Sequence, residues 1–129
     1  MPQRDAPVKV FLADDSVLIR DRVAVMLGAG AMAIVGQAQT PLASIKGILA
    51  EHPDVVVLDV QLEGGSGLEV LRAVRAAAPD IAFVVFSNNS GPDYRKRYLG
   101  EGAVRFLDKS TESDQLRQAV AIAAQHATH

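Results

Sequence analysis

The stretch Val55-Val-Val-Leu58, followed directly by Asp59, decides the fold class of this 129-residue chain. Four consecutive apolar, mostly β-branched residues suit a strand that is buried on both faces, as in a parallel sheet covered by helices. Similar short apolar runs occur at residues 8–13, 32–35, 81–86 and 104–107. Segments of helical periodicity separate the runs, so the connections are too long for hairpins. The pattern predicts an α/β fold around a five-stranded parallel sheet.

The composition of each run indicates its place in that sheet. The third and fourth runs are continuously apolar and are expected at the centre, whereas Arg105 in the fifth run and Gly36 after the short second run suit edge strands. Four apolar stripes at helical spacing predict the helices that cover the sheet. The stripes are Ile19, Val23, Met26 and Leu27; Leu42, Ile45, Ile48 and Leu49; Leu68, Leu71 and Val74; and Leu116, Ala119, Val120 and Ala123. A fifth helix, over residues 92–99, is mostly polar.

The composition excludes several classes of function. The chain has no Cys, which removes thiol catalysis and zinc-thiolate sites, and its net charge of -2 gives no basic field for nucleic acid. No apolar run approaches the ~20 residues that a membrane span needs. We therefore expect one cytoplasmic domain at residues 8–124 without nucleic-acid or membrane partners. Residues 1–7 are expected to form a flexible leader and residues 125–129 a frayed tail, with no output domain.

Five polar residues lie just past the ends of the predicted strands. Asp14 and Asp15 follow the first, Asp59 the third, Ser87 the fourth and Lys109 the fifth. Each alone is explained as a helix cap or turn residue, but three carboxylates at one edge repel one another unless a cation is present. Mg²⁺ prefers such oxygen ligands, and an aspartate can act as a nucleophile toward a phosphoryl group. The set therefore predicts a magnesium-dependent phosphoryl site.

The ordered motifs resemble the receiver domain of two-component response regulators over about residues 8–123. The motifs are Asp14-Asp15, Asp59-Val-Gln-Leu-Glu-Gly-Gly-Ser-Gly67, Ser87 and Phe106-Leu-Asp-Lys109-Ser110. The resemblance implies a flavodoxin-like (βα)5 three-layer sandwich with strand order 2-1-3-4-5. It is nearest to the stand-alone, single-domain type, such as the chemotaxis regulator CheY.

The resemblance also implies roles for individual residues. Asp59 is expected to accept phosphate from a histidine kinase or a histidine phosphotransfer protein. Asp14, Asp15 and Asp59 are expected to hold Mg²⁺ together with the backbone carbonyl of Gln61. The remaining expected roles are phosphoryl contacts for Ser87 and Lys109, a conformational switch for Ser87 and Phe106, and control of phosphate lifetime for Gln61 and Asn89. Glu63 stands where the family usually has Pro, so we expect a looser loop there.

These roles predict a single-domain regulator that signals through phosphorylation-dependent protein binding or a phosphorelay, and that is not otherwise an enzyme. The alternative is a magnesium-dependent phosphohydrolase, although that class typically has Asp-x-Asp after the first strand rather than adjacent aspartates. A flavin carrier would share the fold, but Asp14-Asp15 would repel its phosphate. A target protein or a second copy of the chain is expected to bind near the fourth helix, at Tyr94, Arg95, Arg97, Tyr98 and Arg105, because aromatic residues and Arg are enriched at binding hot spots.

Overall fold

The computed structural model describes residues 6–28 and 30–127, in which five parallel strands alternate with five helices. The strands are β1 (Val8–Ala13), β2 (Met32–Ala38), β3 (Val55–Leu58), β4 (Ala82–Ser87) and β5 (Arg105–Asp108). The helices are α1 (Val17–Leu27), α2 (Pro41–Glu51), α3 (Gly67–Ala77), α4 (Pro92–Gly100) and α5 (Leu116–His126). The sheet order is β2-β1-β3-β4-β5, so the predicted fold class and strand order are confirmed.

Two apolar cores lie on opposite faces of the sheet because successive strand residues point in opposite directions. In β1, Val10 and Leu12 belong to the core that also contains buried residues of α1 and α5. Phe11 and Ala13 belong to the other core, which contains buried residues of α2 and α3 together with Tyr98 of α4. The central strands β3 and β4 contribute to both cores, as their continuous apolar runs predicted.

Local signals fix where the helices begin. The Ser16 hydroxyl accepts the Ile19 N–H at 3.2 Å at the start of α1, and the Thr40 hydroxyl accepts the Ala43 N–H at 3.1 Å at the start of α2. These contacts satisfy backbone donors that have no partner within the helix. At α3 the Glu69 carboxylate accepts the Ser66 N–H at 3.2 Å. The three helices that follow β1, β2 and β3 therefore begin close to the sheet edge where those strands end.

The end of β2 was predicted wrongly. The strand continues through Gly36 to Ala38, and a register shift between Val10 and Phe11 of β1 accommodates an extra residue of β2. A β-carbon at Gly36 would lie 2.6 Å from the Phe11 ring. Gly36 is therefore a point of close approach inside the strand, a role that a sequence pattern does not distinguish from a strand end.

The buried face of α2 also differs from the prediction. Leu42 and Leu49 are 63% and 41% exposed, whereas Ser44 and Ile48 are fully buried. A β-carbon at Gly47 would lie 2.7 Å from the Phe11 ring. The helix therefore turns its small residues toward the sheet so that the aromatic ring fits beneath it, and two leucines of the predicted stripe remain on the surface.

The loop after β3 is more ordered than expected. Residues Gln61–Leu62 and Gly65–Ser66 form a short antiparallel hairpin, and Gly64 adopts a φ of +81° at its turn. The Glu63 N–H donates to the Gln39 carbonyl at 2.9 Å, which ties the hairpin to the loop after β2. The loop therefore contains paired backbone groups that the prediction of a looser loop did not include.

The two predicted ends of the chain lie partly outside the described residues. Of the expected leader only residues 6 and 7 are described, and both are exposed. Helix α5 follows a 3₁₀ turn at Ser113–Gln115 and includes Gln125 and His126, which were expected in the tail. Residues 128–129 of that tail are not described. No helix among residues 6–28 and 30–127 combines the length and apolar character that a membrane crossing requires.

Candidate functional site

Three carboxylates converge at the sheet edge where β1 and β3 end. Asp14 and Asp59 are 6% and 8% exposed, while Asp15 is on the surface. The Asp14 N–H donates to the Ala38 carbonyl at 3.0 Å, and the Asp59 N–H donates to the Ala13 carbonyl at 2.9 Å. These backbone bonds extend the strand pairing by one residue. They therefore hold both buried carboxylates on rigid elements rather than on free loops.

Lys109 joins the two buried carboxylates. Its ammonium Nζ lies 2.7 Å from Asp14 Oδ2 and 2.9 Å from Asp59 Oδ2, and its side chain is only 8% exposed. The Lys109 N–H donates to the Ser87 carbonyl at 3.1 Å, which anchors the end of β5 to the end of β4. One largely buried ammonium therefore faces two buried carboxylates, and charge-assisted hydrogen bonds are stronger at such a site than in bulk water.

Burial and charge act in opposite directions at this group. Burial raises the pKa of Asp14 above its ordinary value, and the contacts from Lys109 and the Ser16 N–H only partly oppose that shift. Burial alone would lower the pKa of Lys109, but the two carboxylates outweigh it and raise that pKa. Lys109 is therefore fully protonated at neutral pH and provides the positive charge of the site.

The same carboxylates could hold a divalent cation. One carboxylate oxygen from each of Asp14, Asp15 and Asp59 can be chosen so that all three lie within 4.8 Å of one another. Hard oxygen donors of this kind suit Mg²⁺, which typically keeps several waters beside one or two carboxylates. The donor set therefore fits the ion, and the exposure of Asp15 leaves the group open to solvent.

A polar cavity of about 440 Å³ opens beside Asp59. Its lining includes Asp15, Asp59, Gln61, Ser87, Asn89 and Lys109. Ser87 is fully buried, and its hydroxyl accepts the Asn89 N–H at 3.1 Å. The Gln61 N–H points to Asp59 Oδ1 at a long 3.5 Å. Every residue predicted to touch a phosphoryl group therefore lies at one cavity.

A family model for the response regulator receiver domain matches residues 10–121. The chain belongs to the response regulator receiver family. Receiver domains of this family act in two-component signalling, in which phosphorylation of an aspartate and Mg²⁺ binding are general features. The predicted family is therefore confirmed.

Individual relatives agree with that assignment. The DNA-binding transcriptional activator DevR/DosR of Mycobacterium tuberculosis is 31% identical over 114 residues, which is 88% of this receiver chain and 52% of that protein. A protein-glutamate methylesterase/protein-glutamine glutaminase of Anaeromyxobacter dehalogenans is 33% identical over 106 residues, 80% of this chain and 29% of that protein. The chain thus spans about half or less of the length of these curated relatives. The solved receiver domain of NarL from Mycobacterium tuberculosis superposes with a TM-score of 0.83 at 30% identity, covering 92% of this chain and 97% of that one.

The aromatic residue of the receiver domain's predicted switch is turned inward. Phe106 on β5 is 4% exposed, and its ring meets the Tyr98 ring edge-on with a centroid distance of 6.0 Å. The Arg95 guanidinium carbon lies 5.3 Å from the centre of the Phe106 ring, within cation–π range. Phe106 is therefore packed against α4, the helix that was expected to bind a partner.

Two residues of the predicted partner surface make contacts within the protein. Tyr98 is 3% exposed, because its ring packs on Phe106 and its hydroxyl points to the Val60 carbonyl at 3.5 Å. Burial raises the pKa of Tyr98 to about 12. The Arg95 side chain lies along β5 and pairs with Glu112, and it remains 35% exposed. The predicted exposure of Tyr98 is therefore wrong, whereas Arg95 is half-buried and keeps part of its side chain on the surface.

The remaining members of that surface keep some exposure. Tyr94 is 46% exposed and Arg97 is exposed, whereas Arg105 is half-buried and donates to the Gln115 side chain at 3.1 Å. A groove of about 580 Å³ beside α4 is lined in part by Tyr94, Arg97 and residues of the hairpin. This groove also reaches Gln61 and Asn89, so it adjoins the polar cavity.

Gly67 is a site residue whose role the sequence interpretation missed. A β-carbon there would overlap the Asp59 carbonyl oxygen and lie 3.1 Å from the Asp59 carbonyl carbon. The Gly67 N–H donates to the Val60 carbonyl at 2.7 Å. Only glycine lets the start of α3 approach the backbone of Asp59 this closely. The glycine-rich sequence indicated a turn after β3, but the close approach of Gly67 to the Asp59 backbone is seen only in the folded structure.

Proposed function

We propose that Asp59 accepts a phosphoryl group from a phosphohistidine of a histidine kinase or phosphotransfer protein, and that the aspartyl phosphate controls binding of a target protein. The observation that carries this proposal is the position of Asp59. Its carboxylate lies 2.9 Å from the Lys109 ammonium and beside Asp14 and Asp15, at the edge of a solvent-open cavity. A nucleophile, a fixed cation and donors for Mg²⁺ are the parts that phosphoryl transfer requires.

The transfer exchanges one bond to phosphorus for another. The Asp59 carboxylate attacks phosphorus, a P–O bond forms as the P–N bond breaks, and the electron pair of that bond stays with the departing imidazole. Asp14, Asp15, Asp59 and the Gln61 carbonyl would hold Mg²⁺, which when bound offsets the charge of the transferred group. Lys109 then donates to a phosphoryl oxygen in addition to its carboxylate partner.

Ser87 supplies a neutral donor in the same proposal. Its hydroxyl is an acceptor in the contact with the Asn89 N–H, so the hydroxyl hydrogen remains for a phosphoryl oxygen. Gln61 and Asn89 both line the cavity. We propose that they limit the approach of the water that hydrolyses the phosphate. Their amide side chains are neutral, so this control acts through space and hydrogen bonding rather than through charge.

The test is phosphorylation by a small donor. Incubation with acetyl phosphate and Mg²⁺ is expected to add one phosphoryl group by intact mass, and Asp59→Asn is expected to abolish the addition. Asp93→Asn, an exposed aspartate of α4, is the matched control and should be modified like the wild type. A phosphoryl group that persists in Asp59→Asn would contradict the assignment. Sustained turnover of a phosphate ester would instead favour the phosphohydrolase alternative.

For the target-binding surface we propose the groove beside α4, with Tyr94 and Arg97 as the contact residues. A second copy of the chain is the partner that can be tested directly, by sedimentation with beryllofluoride and Mg²⁺. Arg97→Glu should weaken the association, whereas Lys96→Glu, an exposed neighbour outside the groove lining, should weaken it less. Equal association of the wild type and both variants would exclude this groove. Arg95→Glu is unsuitable here because it would break contacts within the protein.

A further inference from the structure

Arg95 is the one side chain of α4 whose hydrogen bonds, among the described residues, reach the loop after β4, the strand β5 and the loop after β5 together. Its Nε donates to the Ser90 carbonyl at 3.0 Å and its Nη1 donates to the Phe106 carbonyl at 2.9 Å. Its Nη2 donates to Glu112 Oε1 at 2.6 Å. Three donors of one planar group are thus used in three directions, which is a geometry specific to arginine.

The same guanidinium covers the Phe106 ring. Its central carbon lies 5.3 Å from the ring centre, and the ring also contacts Tyr98 edge-on. Arg95 therefore bonds the backbone of Phe106 and contacts its side chain at once. Both contacts favour the buried position of the ring, in which Phe106 is 4% exposed.

Glu112 connects this contact to the segment that carries Lys109. Its Oε1, which pairs with Arg95, also accepts the Asp108 N–H at 2.9 Å, and the Glu112 N–H donates to the Asp108 carbonyl at 2.9 Å. The Asp108 carboxylate in turn bonds the Ser90 hydroxyl and accepts the Ser110 N–H at 2.7 Å. Asp108 immediately precedes Lys109, so the arginine pair and the phosphoryl-contacting lysine share one short, hydrogen-bonded segment.

We propose that Arg95 is a positioning residue that holds Phe106 in its buried position and ties that position to the segment before Lys109. The link to phosphorylation rests on the proposed function, in which Phe106 responds to the state of Asp59. The contacts that hold Phe106 are made by residues of the chain itself, so their effect can be tested without a ligand. Removal of Arg95 therefore frees the ring even when Asp59 is unmodified.

The experiment follows the Phe106 ring in the full chain labelled with 4-fluorophenylalanine. The sequence has four Phe, so the Phe106 resonance is assigned with Phe106→Leu, and its exposure is measured with a soluble nitroxide quencher. Arg95→Met keeps the aliphatic stem but removes the charge and the hydrogen-bond donors. It is expected to raise the population with an exposed Phe106 ring roughly tenfold, which corresponds to about 1.4 kcal/mol. Lys96→Met makes the same chemical change on the exposed surface of the same helix and should leave the resonance unchanged.

Two further variants separate positioning from general loosening. Arg95→Lys retains a cation near the ring but not the planar fork, and is expected to recover part of the wild-type protection. Glu112→Gln removes the charge partner, and Arg95→Met in that background should have a smaller effect than in the wild type because the two residues act together. Protection in Arg95→Met equal to that in the wild type would overturn the proposal. Simple addition of the Arg95 and Glu112 effects would overturn the tie to the Lys109 segment.

The phosphorylated state gives a separate result. Arg95→Met should still accept one phosphoryl group at Asp59, but the change that beryllofluoride produces at the Phe106 resonance should be smaller than in the wild type. A wild-type protein that neither takes a phosphoryl group nor responds to beryllofluoride would contradict the proposed function alone. The ligand-free comparison of Arg95→Met with Lys96→Met would still decide the role of Arg95.

Discussion

Replacing Gly67 by alanine tests how the backbone of Asp59 is positioned. The new β-carbon would overlap the Asp59 carbonyl oxygen and lie 3.1 Å from its carbonyl carbon and 3.2 Å from Leu58 Cγ. Ordinary contacts of a β-carbon begin at 3.4 Å, so the backbone itself must move by several tenths of an ångström or more. The 2.7 Å bond from the Gly67 N–H to the Val60 carbonyl resists that movement.

The cost of Gly67→Ala exceeds any gain from helix propensity. Overpacking costs about 1–3 kcal/mol, and the upper end applies here because the crowded atoms belong to the main chain on both sides. Alanine in a helix gains at most about 1 kcal/mol over glycine. We therefore expect a net loss of about 2–3 kcal/mol, which lowers the Tm of a domain of this size by roughly 10 °C. Phosphorylation of Asp59 should slow as well, because the shift of the Asp59 backbone also moves its carboxylate away from the Lys109 ammonium.

Gly100→Ala is the matched control. Gly100 is the last residue of α4, and a β-carbon there meets nothing within 4 Å. Its substitution should leave the Tm unchanged or raise it slightly. Alanine lowers the conformational entropy of the unfolded chain, which stabilises the folded state by about 0.4–1 kcal/mol. Thermal unfolding by circular dichroism and the rate of mass gain with acetyl phosphate measure both effects. Equal Tm values for Gly67→Ala and Gly100→Ala would refute the close-approach argument, and a wild-type phosphorylation rate in a destabilised Gly67→Ala would refute the positioning of Asp59.

Three further results are expected. Tyr94→Phe leaves Tyr98 as the one tyrosine, and absorbance titration of this variant should give a pKa of about 12. The free energy of unfolding should fall as pH rises from about 10 through 12, because the folded state holds the Tyr98 proton more tightly than the unfolded state does. Tyr98→Phe should remove this loss. Burial raises the folded-state pKa of Asp14, so without divalent metal the free energy of unfolding should fall as pH rises above about 4 through that pKa. Over the same pH interval, urea unfolding should show that Asp14→Asn becomes more stable relative to the wild type. Asp15→Asn removes one charged donor and should weaken Mg²⁺ binding in calorimetry by roughly tenfold, about 1.4 kcal/mol.

The parts of the fold that the sequence predicted are those governed by local pattern. The apolar runs located all five strands, and the stripe of α5 is buried at every predicted position from Leu116 to Ala123. The acidic cluster followed from strand order alone, because residues just past the ends of parallel strands share one edge. Where one large side chain sets the local geometry, the pattern failed, as at Gly36 and Gly47 around the Phe11 ring.

Two residues of α4 make contacts that the sequence could not predict, for a different reason. Tyr98 and Arg95 have the composition of a binding surface, but their partners lie far along the chain. Tyr98 points to the Val60 carbonyl 38 residues away, and Arg95 pairs with Glu112 17 residues away. Local sequence periodicity does not indicate contacts between residues so far apart in the chain. The polar character of α4 therefore predicted an exposed face, although Tyr98 and Arg95 contact other parts of the protein.

The Lys109 bridge has a consequence for how the protein depends on metal. Its ammonium lies within 2.9 Å of both buried carboxylates and so relieves their mutual repulsion from inside the chain. A resident counter-ion of this kind lets the domain fold and persist while magnesium is scarce, and chelation should cost it little of its thermal stability. Under the proposed function, the magnesium concentration should then change the rate of phosphorylation at Asp59 but not the fraction of the protein that is folded.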